Sequence, residues 1–163
     1  MTQPTRKNNR LKEYDYAQNG AYFVTICTHE RRNFFWNDVG AACGRPPCMP
    51  GLSNIGMIAD QEINRIAGYY QGVVIEKYVV MPNHIHMIIT LQNDVGRPKV
   101  APTVSRIVQQ FKGAVSKQAG FSLWQRSFYD HIIRNEAEYR DVWQYIDTNP
   151  LKWELNEYHI NDT

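Results

Sequence analysis

Apolar and polar positions change their period several times along the 163 residues, and each change marks an element. Residues 20–28, GAYFVTICT, are aromatic and β-branched and predict a first strand. Ile55, Ile58, Ile63, Ile66, Ala67 and Tyr70 recur at helical intervals, and Gly72 is placed to stop that helix. Residues 73–81 (VVIEKYVVM) and 84–91 (HIHMIITL) are two β-rich segments divided by Pro82-Asn83, which fits either a hairpin or one interrupted strand. Val104, Ile107, Val108, Phe111 and Val115 mark one face of a second helix with Thr103 as its N-cap. Residues 123–134 (LWQRSFYDHIIR) read as extended. Residues 135–149 read as a last helix, capped by Asn135 with Glu138 and ended by Pro150.

Residues 37–56 interrupt this order with four glycines, three prolines and no apolar period, the signature of a loop excursion. Helices that interleave with paired strands, not all of them joined by long crossovers, predict an α+β fold whose mostly antiparallel sheet is covered by helices. The length suits a single domain over 1–163.

Composition narrows the function classes. No apolar run approaches the ~20 residues of a membrane span, and the polar, basic arm over 1–13 leads into no hydrophobic stretch, so a cytoplasmic protein is expected. Cys27, Cys43 and Cys48 are odd in number and form no CxxC pair, which argues against a disulfide framework or zinc knuckle. The net charge is only +2, so nucleic-acid binding would have to come from local clusters of Lys and Arg.

The candidate chemistry begins at MPNHIHMII. Residues two apart on a strand share a face, so His84 and His86 point the same way, with side chains ~7 Å apart along the strand, and can converge on one ion. Ile85, Met87 and Ile89 then take the core face. A pair of half-exposed sheet histidines fits the same pattern. In the last helix, Tyr139, Val142, Trp143 and Ile146 form the apolar stripe, and Tyr145 lies ~120° from its centre. Asn149, four residues on, falls on nearly the same line as Tyr145 and offers an amide oxygen. Glu138 and Asp141 share that side, as supporting or solvated groups.

HIH preceded by MPN, WQRSFYDHIIRN and YRDVWQYIDTNP together resemble the REP-associated branch of the single-tyrosine, HUH-type transposases. The resemblance runs from YFVTICT to YIDTNP and keeps the three motifs in the family's order. It implies a ferredoxin-like antiparallel sheet with helices on one side, and single-stranded DNA, often a hairpin, as substrate. Tyr145 would be the nucleophile forming a 5′-phosphotyrosine. His84, His86 and Asn149 would be ligands of a divalent cation, Mg2+ or Mn2+. Related enzymes are monomers or homodimers, and both remain open. The 37–56 excursion departs from the minimal motif set.

Candidate DNA contacts are Arg10 in the arm with Arg6 and Lys7, Arg106 and Lys112 on the second predicted helix, and Arg126 and Arg134 around WQRSFYDHIIRN. Trp124, Phe128 and Tyr129 offer stacking surfaces, although core packing is the better reading for them. Tyr129 is also a rival nucleophile, without a ligand one helical turn later. Two other readings compete. A histidine-based nucleotide hydrolase needs a third histidine where Ile88 stands. A hairpin-binding module that has lost turnover would keep the fold without the chemistry.

Overall fold

The structure is a computed structural model that describes residues 18–37, 51–92 and 102–156. The basic arm with Arg6, Lys7 and Arg10, and most of the 37–56 excursion, lie outside them. The element order is β1 (Gly20–Cys27), α1 (Asn54–Tyr69), β2 (Val73–Val80), β3 (His84–Leu91), α2 (Val104–Ala119), β4 (Tyr129–Ile133) and α3 (Glu136–Asn156). The sheet runs β2-β3-β1-β4 with every neighbouring pair antiparallel. This is the ferredoxin-like α+β arrangement that the resemblance implied, and β2 and β3 form the hairpin of the two alternatives.

Alternation along the strands gives the sheet two different faces. Tyr22, Val24 and Ile26 of β1 and Ile85, Met87 and Ile89 of β3 are all buried in one core cluster. That face packs against Ala59, Ile63 and Ile66 of α1 and Val104, Ile107, Val108, Phe111 and Val115 of α2. Burying each such aliphatic side chain contributes roughly 1.5–3 kcal/mol, so this layer fixes the register of β1 and β3. The opposite face carries Phe23, Thr25, His84 and His86, and α3 lies across it, touching β2, β3 and β4. Helices therefore cover both sides of the sheet rather than one.

Caps explain where the helices start. The Ser53 hydroxyl accepts from the Gly56 amide at 3.0 Å, Thr103 accepts from Arg106 at 3.2 Å as the sequence predicts, and Asn135 Oδ1 accepts from Glu138 at 2.8 Å. Asn54–Gly56, predicted as loop, is thus the first turn of α1. Gly56 is required there, because a Cβ at that position would lie 2.1 Å from the Phe35 carbonyl oxygen.

Two further boundaries differ from the sequence reading. Residues 123–134 contribute only β4 and one bridge, Trp124 to Thr28. Leu123 and Trp124 are core anchors instead, with Trp124 Nε1 donating to the Lys112 carbonyl at 3.0 Å. Pro150 does not end α3, which continues to Asn156. Pro150 has no N–H for the Ile146 carbonyl, but it is itself buried, as is Asn149 before it, and Trp153 packs against His84 of the sheet. Tertiary burial offsets the lost hydrogen bond.

Candidate metal and nucleophile site

Strand β3 places His84 and His86 on the α3 side of the sheet, and their ring centroids are 4.6 Å apart, closer than the backbone repeat because the rings lean together. Each Nδ1 is engaged. Asn83 Nδ2 donates to the Arg31 carbonyl at 3.0 Å, which turns its Oδ1 toward His84 Nδ1 at 2.7 Å. An amide oxygen only accepts, so His84 carries its proton on Nδ1 and a lone pair on Nε2. His86 Nδ1 lies 2.8 Å from Thr25 Oγ1, and Thr25 is its cross-strand partner.

Burial holds both rings neutral. Desolvation, reinforced by the Arg31 charge, lowers the His84 pKa to about 4. Desolvation, reinforced by His84, lowers that of His86 to about 3. Neutral imidazole is the form that ligates a metal. His86 Nε2 is buried without a hydrogen-bond partner among the described residues. An orphan of this kind costs roughly 1–3 kcal/mol and calls for an explanation.

The α3 helix supplies the other half. The Tyr145 ring stands edge-on to His86 at 5.3 Å and to Phe23 at 6.0 Å between centroids. It remains 43% exposed, so its phenol is open to a large substrate. Trp153, two turns later, has its ring 5.9 Å from His84 and a buried indole N–H without a partner among the described residues. Asn149 sits on the same helical line between these two contacts and is buried. The stripe prediction placed Tyr145 and Asn149 on one line, and the packing separates their exposure along it. Lys152 Nζ lies 5.8 Å from the Tyr145 ring centroid.

Among the described residues no three His, Cys, Asp or Glu side chains cluster as metal ligands. A site here would pair two imidazoles with the Asn149 amide. The donor set fits a divalent cation, since two neutral imidazoles held by hydrogen bonds at their far nitrogens are the usual supported ligands. Tyr129 is on the same face but pairs with Thr25 across β1, two strand spacings from His86, and lies outside this constellation.

The expected basic residues are dispersed. Arg106 is exposed on α2, and Arg126 and Arg134 are exposed on either side of β4. Lys112 Nζ donates to the carbonyls of Gln125 at 2.8 Å and Ser127 at 3.0 Å, and burial lowers its pKa to about 8. Glu138 is taken up at the start of α3, where it pairs with His131 and accepts from the Arg134 amide at 2.7 Å. Thr25, Asn83 and Trp153 were missed from sequence. The only signal for them was a polar Thr on the non-core face of β1, an Asn beside the first histidine, and a Trp two turns beyond Tyr145.

No family model matches the chain. It is 30% identical over 176 residues to an uncharacterised protein of Haemophilus influenzae (strain ATCC 51907 / DSM 11121 / KW20 / Rd), covering 96% of this chain and 94% of that one. It is 32% identical over 94 residues to the REP-associated tyrosine transposase of Escherichia coli (strain K12), covering 52% of this chain and 54% of that protein. A solved REP-associated tyrosine transposase bound to a REP hairpin superposes with a TM-score of 0.61 at 25% identity, over 87% of this chain and 74% of that one. The chain is similar to the REP-associated tyrosine transposases, over about half its length in sequence and over most of it in fold. The described residues include no helix long and apolar enough to cross a membrane.

Proposed function

We propose that the protein cleaves and rejoins single-stranded DNA at hairpins through a covalent 5′-phosphotyrosine on Tyr145. The observation that carries this reading is the exposed Tyr145 ring 5.3 Å from His86, whose buried Nε2 has no partner among the described residues. The Tyr145 phenol oxygen attacks the scissile phosphorus. The Tyr–O–P bond forms, the bond to the 3′ oxygen breaks, and that oxygen leaves as a hydroxyl with the proton the phenol gives up. The reverse attack by a 3′-hydroxyl rejoins a strand without a nucleotide cofactor.

His84, His86 and Asn149 would hold the divalent cation, Mg2+ or Mn2+, which when bound polarises a phosphate oxygen. Two imidazoles suit Mn2+ at least as well as Mg2+. The remaining work falls to the chain. Thr25 and Asn83 aim the rings, Phe23 and Trp153 wall the site, and α3 presents the phenol. All of these residues come from one chain, which supports a site complete within a protomer. The hairpin partner is supported by the solved relative, which is bound to a REP hairpin. Arg106, Lys112, Arg126 and Arg134, with Arg10 in the arm, are the proposed backbone contacts.

The test is incubation with a labelled pool of single-stranded hairpin oligonucleotides and Mn2+, followed by a denaturing gel. An adduct that is lost in Tyr145→Phe and with chelator supports the reading. Hairpin binding with no adduct under any condition would overturn it in favour of a binding module that has lost turnover.

A further inference from the structure

The apolar stripe expected on α3 is only partly used for packing. Ile146 is buried, but Tyr139 and Trp143, one turn apart, stay half-buried, with ring centroids 5.8 Å apart and planes inclined by 37°. Together with Glu76 of the edge strand β2 and Arg140 they line an open cavity of about 470 Å³. That volume is within the ~300–1,000 Å³ of sites that take small ligands.

A β-bulge shapes the rim of this cavity. Ile75 pairs with Ile89 and Lys77 with Ile88, so Glu76 is one extra residue in β2. Two residues of β2 then oppose one of β3, and both Glu76 and Lys77 reach α3 where strict alternation would send one of them to the core. Lys77 Nζ lies 4.7 Å from the centroid of the Trp143 ring and pairs with Asp147, which braces the indole from the sheet. Glu76 and Arg140 make no hydrogen bond or ion pair to a described residue. A carboxylate and a guanidinium are thus left for a ligand.

A carboxylate repels phosphate, so the cavity does not suit a strand's backbone. Two aromatic rings with a carboxylate and a guanidinium at their margin suit a flat base, stacked on the rings and read along its edge. Guanine meets that margin best. Its N1–H and exocyclic amine are adjacent donors for the two carboxylate oxygens, and its O6 and N7 are acceptors for a guanidinium. Adenine, cytosine and thymine each set an acceptor beside their donor, against Glu76. The base must be unpaired, because pairing would occupy the edge that the carboxylate meets. Trp143 precedes Tyr145 by two residues, ~3 Å along the helix axis and ~200° around it. A strand lying across α3 therefore reaches both the cavity and the phenol.

We propose that the cavity between β2 and α3 receives one unpaired guanine of the strand presented to Tyr145, stacked on Tyr139 and Trp143 and read by Glu76 and Arg140. The inference rests on the proposed single-stranded DNA substrate. The probe is a fluorescent hairpin oligonucleotide with unpaired thymine flanks, in which a single guanine is moved through each flank position. Affinity is measured by anisotropy in a Tyr145→Phe background, so that binding is read without turnover. One position is expected to bind roughly tenfold tighter with guanine than with thymine, and inosine there, which lacks the exocyclic amine, should lose most of that gain. Glu76 is exposed, so Glu76→Gln should fold normally. It is expected to lose most of the guanine preference while binding the all-thymine probe slightly more tightly, since a negative charge is removed. Trp143→Phe should weaken binding at the preferred position and keep guanine ahead of inosine. Hairpin binding with no guanine-preferring position overturns the proposal, as does a preference undiminished in Glu76→Gln or an equal tightening of every probe by that variant. A covalent adduct from the Tyr145-containing protein without any guanine preference would leave strand cleavage standing and sink only this subsite. A guanine preference with no adduct would do the reverse. Absence of hairpin binding in wild type would overturn both.

Discussion

Thr25 and His86 face each other across the centre of the sheet, and the 2.8 Å contact between the hydroxyl and Nδ1 fixes the ring from the strand beside it. Thr25→Val keeps the shape and removes the contact. It is expected to weaken Mn2+ binding by roughly 10–100-fold and to cost about 1–3 kcal/mol by leaving Nδ1 buried and unpaired. Thr25→Ser should recover most of both, as read by Mn2+ calorimetry and urea denaturation.

Tyr145→Phe separates chemistry from folding. The phenol hydroxyl makes no hydrogen bond to a described residue, and the ring contacts with His86 and Phe23 survive the change. Stability should stay within about 0.5 kcal/mol of wild type while covalent adduct formation is abolished. A variant that loses adduct and unfolds early would point to a packing role for the phenol.

The histidines predict a pH dependence of the metal-free protein. Folded His84 and His86 resist protonation until about 4 and about 3, whereas unfolded histidine takes a proton near 6.5. Above 6.5 neither state is charged and the rings contribute no slope. As pH falls from 6.5 toward 4, the unfolded chain binds more protons and stability declines, by up to roughly 1.4 kcal/mol per pH unit per ring, levelling off below the folded values. Glu138, held below the ordinary carboxylate range by the Arg134 amide and His131, loses its contribution only at lower pH. The urea midpoint should therefore drop between pH 6.5 and 5, and His84→Asn with His86→Asn should flatten that drop.

Two glycines in helices should respond in opposite directions. Gly56→Ala forces a Cβ onto the Phe35 carbonyl oxygen, 2.1 Å away, and is expected to cost about 1–3 kcal/mol. Gly113, inside α2, has nothing within 4 Å of the added atom, so Gly113→Ala should stabilise by roughly 0.5–1 kcal/mol. Equilibrium urea unfolding of both variants reads the contrast.

The basic residues divide by their surroundings. Arg126 and Arg134 are exposed, so Arg126→Ala and Arg134→Ala should each lower the salt slope of hairpin binding by about 0.7, with stability changed by less than about 0.5 kcal/mol. Lys112→Met removes the donor to the Gln125 and Ser127 carbonyls and should be destabilising even without DNA. A salt slope unaffected by any of the three would remove them from the DNA path.

The strands, the caps of α2 and α3, and the core face of β3 were legible because period and capping chemistry are local. So was the pairing of Tyr145 with Asn149, which needs only helical phase. What set the boundaries of β4 and α3 was tertiary. Trp124 looks like a strand aromatic until its N–H finds the Lys112 carbonyl, and Pro150 looks like a stop until its own burial is seen. The tautomer of His84 was out of reach for the same reason, since Asn83 is turned by a carbonyl 52 positions away in the chain.

The passage of α3 through Pro150 has one more consequence. Tyr145, Asn149 and Trp153 project from successive turns of one continuous rod, while both imidazoles belong to the sheet. The proposed centre is thus a two-part assembly with a clean seam, and sliding or lifting the rod would remove the proposed nucleophile, amide and cover in one movement. An identical rod lent by a second copy would restore all three together, so exchange of this segment between chains would rebuild the proposed centre without altering a single contact within the sheet.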